Sequence, residues 1–160
     1  MTNIQVNPKV QAGKAFTSKT MFSRETTVSL NIEADPSIVW ALLTHASDFP
    51  RWNSTVVSLT GEIKEGETIE LKSTLDEKRV FKLKVKEFVL EKRLVWGDAM
   101  GSRVYTLDKN AKGILFTMSE KIGGPLFPLF AGMIPSFDES FERFTADLKK
   151  EAETIQGSKK

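Results

Sequence analysis

Two side chains that often carry proton transfer and nucleophilic chemistry are nearly missing from this sequence. There is one histidine, His45, and no cysteine. Thiol chemistry and disulfides are therefore excluded, and neither a zinc site nor an iron site of two histidines and a carboxylate can be assembled. His45 follows the apolar run SIVWALLT, and its position is explained by the attraction of a helix's negative end for a cation. The remaining candidates are Arg103 in SRVYTLD and Glu120 in GILFTMSEKI, with the Tyr105 hydroxyl nearby. A guanidinium presents planar donors to a carboxylate, carbonyl or phosphate, and a carboxylate beside it can orient a ligand or act as a general base. The same pair at a sheet's rim would be a surface salt bridge worth about 0–1 kcal/mol. Which reading holds depends on the face these residues occupy. Gly123-Gly124 lacks the surrounding pattern of a phosphate loop and reads as a bend.

The elements that must position them follow from periodicity. In SRETTVSLNIEA (23–34) Val28, Leu30 and Ile32 alternate with polar residues, the pattern of a half-buried strand. Asp35 and Pro36 then open a short helix over 36–44, with Asp35 as N-cap and Pro36 at the first helical position. After the turn DFPRWN (48–53) come TVVSLTGEI, ETIELKST, RVFKLKVKEFV, RLVWGDA, SRVYTLD and GILFTMSEKI, an antiparallel meander of about six strands. The first strand brings the sheet to about seven. If DKNAKG (108–113) is a loop, Tyr105 pairs with Phe116 and Arg103 with Met118, and Glu120 lies opposite Gly101. If DAMG (98–101) is the preceding turn, Trp96 faces Arg103 and Leu94 faces Tyr105. One sheet face then carries apolar and aromatic groups with two opposite charges, as a cavity wall would.

The C-terminal stretch changes period. In residues 135–156, Phe137, Phe141, Phe144, Leu148, Ala152 and Ile155 form one helical stripe, and Ser136 with Glu139 has the spacing of a capping box. GGPLFPLFAGMIP before it carries three prolines and is expected to be a broken helical turn lying on the body. Residues 1–22 are expected to be a flexible or loosely docked arm, 23–156 one domain, and 157–160 a disordered tail. A chain of 160 residues can bury roughly 70% of the surface its unfolded form exposes. With 23 Lys+Arg against 21 Asp+Glu no global field selects nucleic acid or an anionic membrane. No signal-peptide core and no membrane-length apolar run occurs, so a cytoplasmic protein without integral membrane association is expected.

This element order, with IEADPSIVWALLTHASDFPRWN (32–53), RLVWGD (93–98) and SEKIGGPLFPLF (119–130), resembles the START-like or SRPBCC superfamily, the birch-pollen-allergen fold, in its bacterial polyketide cyclase/dehydrase-like branch. The resemblance implies an α+β helix-grip fold: a curved antiparallel sheet wrapped around a long C-terminal helix, with two short helices after the first strand and a cavity between sheet and helix. It further implies binding of an apolar small molecule that is lipid-like, polyketide-like or aromatic. Any turnover would be metal-free cyclase or dehydratase chemistry needing no cofactor, with Arg103 and Glu120 as catalytic candidates. Trp52, Trp96, Tyr105, Phe116, Met118, Phe137, Phe141 and Phe144 are the candidate ligand contacts. Trp52 has two readings, a plug closing one end of the sheet or a ring stacked on the ligand. A competing function is a chaperone-assisting or other interaction module, using the face where Lys82, Lys84 and Lys86 alternate with Phe81, Leu83 and Val85. Ligand identity and oligomeric state are left open.

Overall fold

A computed structural model describes residues 11–159. Strand β1 (Phe16–Lys19) is followed by β2 (Ser23–Ile32), helix α1 (Pro36–Thr44), a 3-10 turn (Ala46–Asp48) and helix α2 (Phe49–Trp52). The meander is β3 (Val56–Thr60), β4 (Thr68–Ser73), β5 (Asp76–Val89), β6 (Arg93–Gly97), β7 (Gly101–Asn110) and β8 (Gly113–Gly123). Helix α3 (Phe127–Phe130), a second 3-10 turn (Ala131–Met133) and helix α4 (Asp138–Ser158) complete the fold. All pairings are antiparallel, in the order β1-β2-β8-β7-β6-β5-β4-β3. The α+β helix-grip architecture is as expected, with eight strands rather than about seven.

The added strand, β1, comes from the segment expected to be an arm, whose residues 1–10 lie outside the described residues. Phe16 pairs with Thr27 and Lys19 with Arg24. Ala15 N–H donates to Glu142 Oε1 of α4 at 3.1 Å, and the Thr17 hydroxyl donates to Asp138. A four-residue edge strand held by backbone and polar contacts leaves no hydrophobic alternation to read. At the other end α4 runs through Gly157 and Ser158, into the segment expected as a tail.

Both helix starts differ in detail from the sequence reading. The Asp35 side chain makes no capping bond; its backbone carbonyl accepts from Ile38 N–H at 3.0 Å, while its own N–H donates to Gln156 Oε1 at 2.9 Å. The bond to Gln156 ties the start of α1 to α4 without satisfying the amides that an Asp35 side-chain cap was expected to engage. Ser136 Oγ accepts from Asp138 N–H at 3.3 Å, but Glu139 makes no return bond.

Helix α4 buries Phe141, Phe144, Leu148 and Ala152 against the sheet. The DFPRWN turn closes one end: the Trp52 ring lies 4.9 Å from Phe49 and 6.0 Å from Phe144, centroid to centroid. Buried Asn53 fixes the turn, its Oδ1 accepting from Thr55 N–H at 3.1 Å and from the Thr55 hydroxyl at 2.7 Å, and its amide donating to Phe144 O at 3.4 Å.

Candidate ligand cavity

The site is built on the two hairpins β6–β7 and β7–β8. The first has the register the sequence arithmetic gives, Leu94 opposite Tyr105 and Trp96 opposite Arg103. The second differs by two residues. Only Ala111 and Lys112 form its turn, because β7 continues through Asn110, which pairs with Gly113. Gly113 has φ +129, and a Cβ there would stand 2.2 Å from Ile32 O, so only glycine permits this tight return beside β2. Leu107 therefore pairs with Phe116, Tyr105 with Met118, and Arg103 with Glu120. An even shift keeps every side chain on its face, and here it moves Glu120 from a neighbouring position to one directly across from Arg103.

A cavity of 220 Å³ opens between the sheet and the segment 133–137 that leads into α4. Four of the expected contacts line it: Trp96, Arg103, Glu120 and Phe137. Leu71, Phe81, Leu83 and Ile122 supply apolar wall; Met100 and Met133 stand exposed at the mouth. The other six, Trp52, Tyr105, Phe116, Met118, Phe141 and Phe144, do not line it. They form packed core behind its wall and at the far end. Tyr105 stacks 6.1 Å from Phe116 and 5.7 Å from Phe144 at 26°, and Trp96 meets Tyr105 edge-on at 5.1 Å. Where α4 lies on the sheet, aromatic rings fill the interval. Space remains where a non-helical segment covers the sheet instead.

Within the wall, Arg103 Nε lies 3.2 Å from Glu120 Oε1, with the two side chains 13% and 20% exposed. The guanidinium carbon sits 5.1 Å from the Phe141 ring centroid, which supports the cation from behind. Burial works against the Arg103 charge, but Glu120 and Tyr105 beside it outweigh burial and hold its proton more tightly than usual. Burial pushes the Tyr105 hydroxyl up to about 12, against an opposing pull from Arg103. That hydroxyl lies beside the guanidinium without a well-formed hydrogen bond, and the Trp52 and Trp96 indole N–H groups are likewise unpaired. Among the described residues no three His, Cys, Asp or Glu side chains gather as a metal cluster. His45 is exposed at the C-terminus of α1, and Lys82 and Lys84 are exposed on β5.

Sequence reasoning missed Arg24. It is buried, donates from Nη1 to Ile134 O at 3.2 Å and from Nη2 to Pro135 O at 2.8 Å, and lies 4.7 Å over the Phe137 ring. It thereby fastens the cavity's cover to the sheet. The signal was available: residue 24 shares the parity of Val28, Leu30 and Ile32, so β2 directs a cation inward.

Eight antiparallel strands gripping a long C-terminal helix, with a mainly apolar cavity under the segment that leads into that helix, define an SRPBCC-type fold. The chain belongs to the family described as polyketide cyclase / dehydrase and lipid transport, whose model matches residues 23–153. Similar solved structures include a Nitrosomonas europaea protein, at 14% identity and TM-score 0.68, covering 88% of this chain and 99% of that one. A conserved Enterococcus faecalis protein of unknown function has 16% identity and TM-score 0.62, covering 86% of this chain and 75% of that one. A protein of the dynemicin biosynthetic locus has 17% identity and TM-score 0.61, covering 82% of this chain and 48% of that one. At these identities the likeness is one of fold. No curated protein matches the chain.

Proposed function

We propose that the cavity binds an apolar small molecule bearing a carboxylate or carbonyl oxygen, with Arg103 holding that oxygen and Glu120 fixing the guanidinium. The observation that carries this reading is the Arg103–Glu120 pair, at 3.2 Å in the wall of a 220 Å³ cavity whose other inner surfaces are mainly aliphatic and aromatic. Glu120 occupies the Nε edge, and among the described residues the two terminal nitrogens make no hydrogen bond to a carboxylate. They are suited to a planar oxygen pair. The family description, which spans polyketide chemistry and lipid transport, supports an apolar ligand. The same two groups meet the minimum for metal-free cyclase or dehydratase chemistry, a carboxylate base and a cation beside the oxygen that gains charge. An interaction module acting through the outer lysines alone needs no charged pair in an internal wall.

Native mass spectrometry of freshly purified protein tests the binding reading. A mass excess that disappears on denaturation, and is absent from Arg103→Met at equal folded fraction, is the expected result. A bare wild-type mass together with no uptake of added 2-naphthoate overturns it.

A further inference from the structure

The cavity mouth carries more exposed apolar surface than a water-facing rim requires. Met21 and Phe22 lie on the β1–β2 turn, Met100 on the β6–β7 turn, and Leu126, Leu129 and Met133 on the segment around α3. Met21, Leu129 and Met133 are 74%, 79% and 81% exposed. Backbone hydrogen bonds tie these turns together: Gly123 N–H donates to Met100 O at 2.9 Å, Gly124 N–H to Phe22 O at 3.0 Å, and Phe127 N–H to Gly124 O at 3.1 Å. The patch is continuous with the site, since Met100 and Met133 also line the cavity.

Charge indicates what covers it. Beside Phe22 and Met100 runs an open groove that contains Lys86 and Lys121. Lys86 Nζ donates to Ser102 Oγ at 2.7 Å and Asp98 O at 3.3 Å, and among the described residues neither lysine forms an ion pair. The one carboxylate in the groove, Asp98, is engaged by Met100 N–H at 2.9 Å and Gly101 N–H at 3.2 Å. Glu25 is the cross-strand neighbour of Lys121 on β2, but the two side chains form no salt bridge. Flexible apolar side chains beside two ammonium groups without ion-pair partners match the layering of an anionic bilayer surface, acyl chains below and phosphates above.

We propose that this rim seats the cavity mouth on an anionic lipid surface, with Leu129 and Met133 inserting and Lys86 and Lys121 meeting lipid phosphates. Its purpose rests on the cavity reading, because an apolar ligand would then pass between bilayer and cavity without crossing water. The test is cosedimentation of the full chain with vesicles of phosphatidylcholine alone and of phosphatidylcholine mixed equally with phosphatidylglycerol. Binding to the anionic vesicles is expected, weakened roughly tenfold or more by Leu129→Ser with Met133→Ser and by Lys86→Gln with Lys121→Gln. Leu90→Ser, on the exposed β5–β6 turn, should leave it unchanged, as should Arg103→Met. Naphthoate uptake without vesicle binding would overturn docking alone, whereas vesicle binding without any ligand uptake would overturn the cavity reading alone. Equal binding to both vesicle types, or a dimer abolished by the Leu129/Met133 double change, would also overturn docking, the latter by making a second copy the occupant.

Discussion

Replacing Arg103 by methionine, Glu120 by glutamine, and both together measures what the pair does for the fold and for a ligand. The side chains are 13% and 20% exposed, so the pair lies between a surface ion pair, worth about 0–1 kcal/mol, and a fully buried one, whose disruption costs about 3–5 kcal/mol. Arg103→Met keeps an aliphatic stem but removes the guanidinium over Phe141 and leaves Glu120 without its partner, and a loss of about 2 kcal/mol is expected. The double variant removes both charges and should cost less than the sum of the singles, giving a coupling of about 1–2 kcal/mol. Urea unfolding of the four proteins supplies these values. Calorimetric titration with 2-naphthoate and naphthalene then separates the ligand's charge from its apolar body. A charge-assisted hydrogen bond contributes about 1.5–3 kcal/mol, so Arg103→Met should weaken naphthoate roughly 10- to 100-fold and leave naphthalene nearly unchanged. A coupling below about 0.5 kcal/mol with unchanged affinity for both probes would reduce the pair to a surface salt bridge with no part in binding.

Other substitutions probe the packing around the pair. Phe141 is buried, stacks on Phe137 at 5.8 Å and backs the Arg103 cation; Phe141→Ala should cost about 3–5 kcal/mol in urea unfolding, and a loss under about 1 kcal/mol would mean that the site is not packed. The Tyr105 hydroxyl, pushed up to about 12 from 10.0, favours the folded state below pH 10, and that contribution disappears as pH rises toward 12. Tyr105→Phe should therefore change stability by under about 1 kcal/mol at neutral pH and flatten the alkaline loss of thermal stability; an unchanged alkaline profile would assign that loss elsewhere. Asn53→Ala removes three hydrogen bonds from a buried turn and should cost about 1–3 kcal/mol, read by the shift in Tm. A chain beginning at Met21 lacks β1 but keeps every residue of the buried apolar core; it should fold with a lowered Tm, and loss of a cooperative transition would make β1 integral.

The α+β order from β2 to α4 and the faces of its elements were legible in the sequence, while β1 was not. Period-2 alternation in β2, β7 and β8 fixed which side chains point inward, and the stripe Phe137, Phe141, Phe144, Leu148 fixed the face of α4, because both patterns follow from backbone geometry over a few residues. For the same reason Arg103 and Glu120 were legible as neighbours on one face even with the β7–β8 register two residues out. The tertiary structure decided what alternation cannot express. Whether Trp52, Tyr105 and Phe144 meet a ligand or one another depends on the distance between sheet and helix, which is set by all the contacts across that interval together. The exact pairing of Arg103 with Glu120 depended on a close approach of Gly113 to Ile32 in a distant strand. Arg24's hold on Ile134 and Pro135 spans 110 and 111 positions of chain, and β1's attachment to α4 is equally remote. Local periodicity assigns a residue its side of an element; the volume left over, and the charges brought to its edge, arise only when separated elements close on each other.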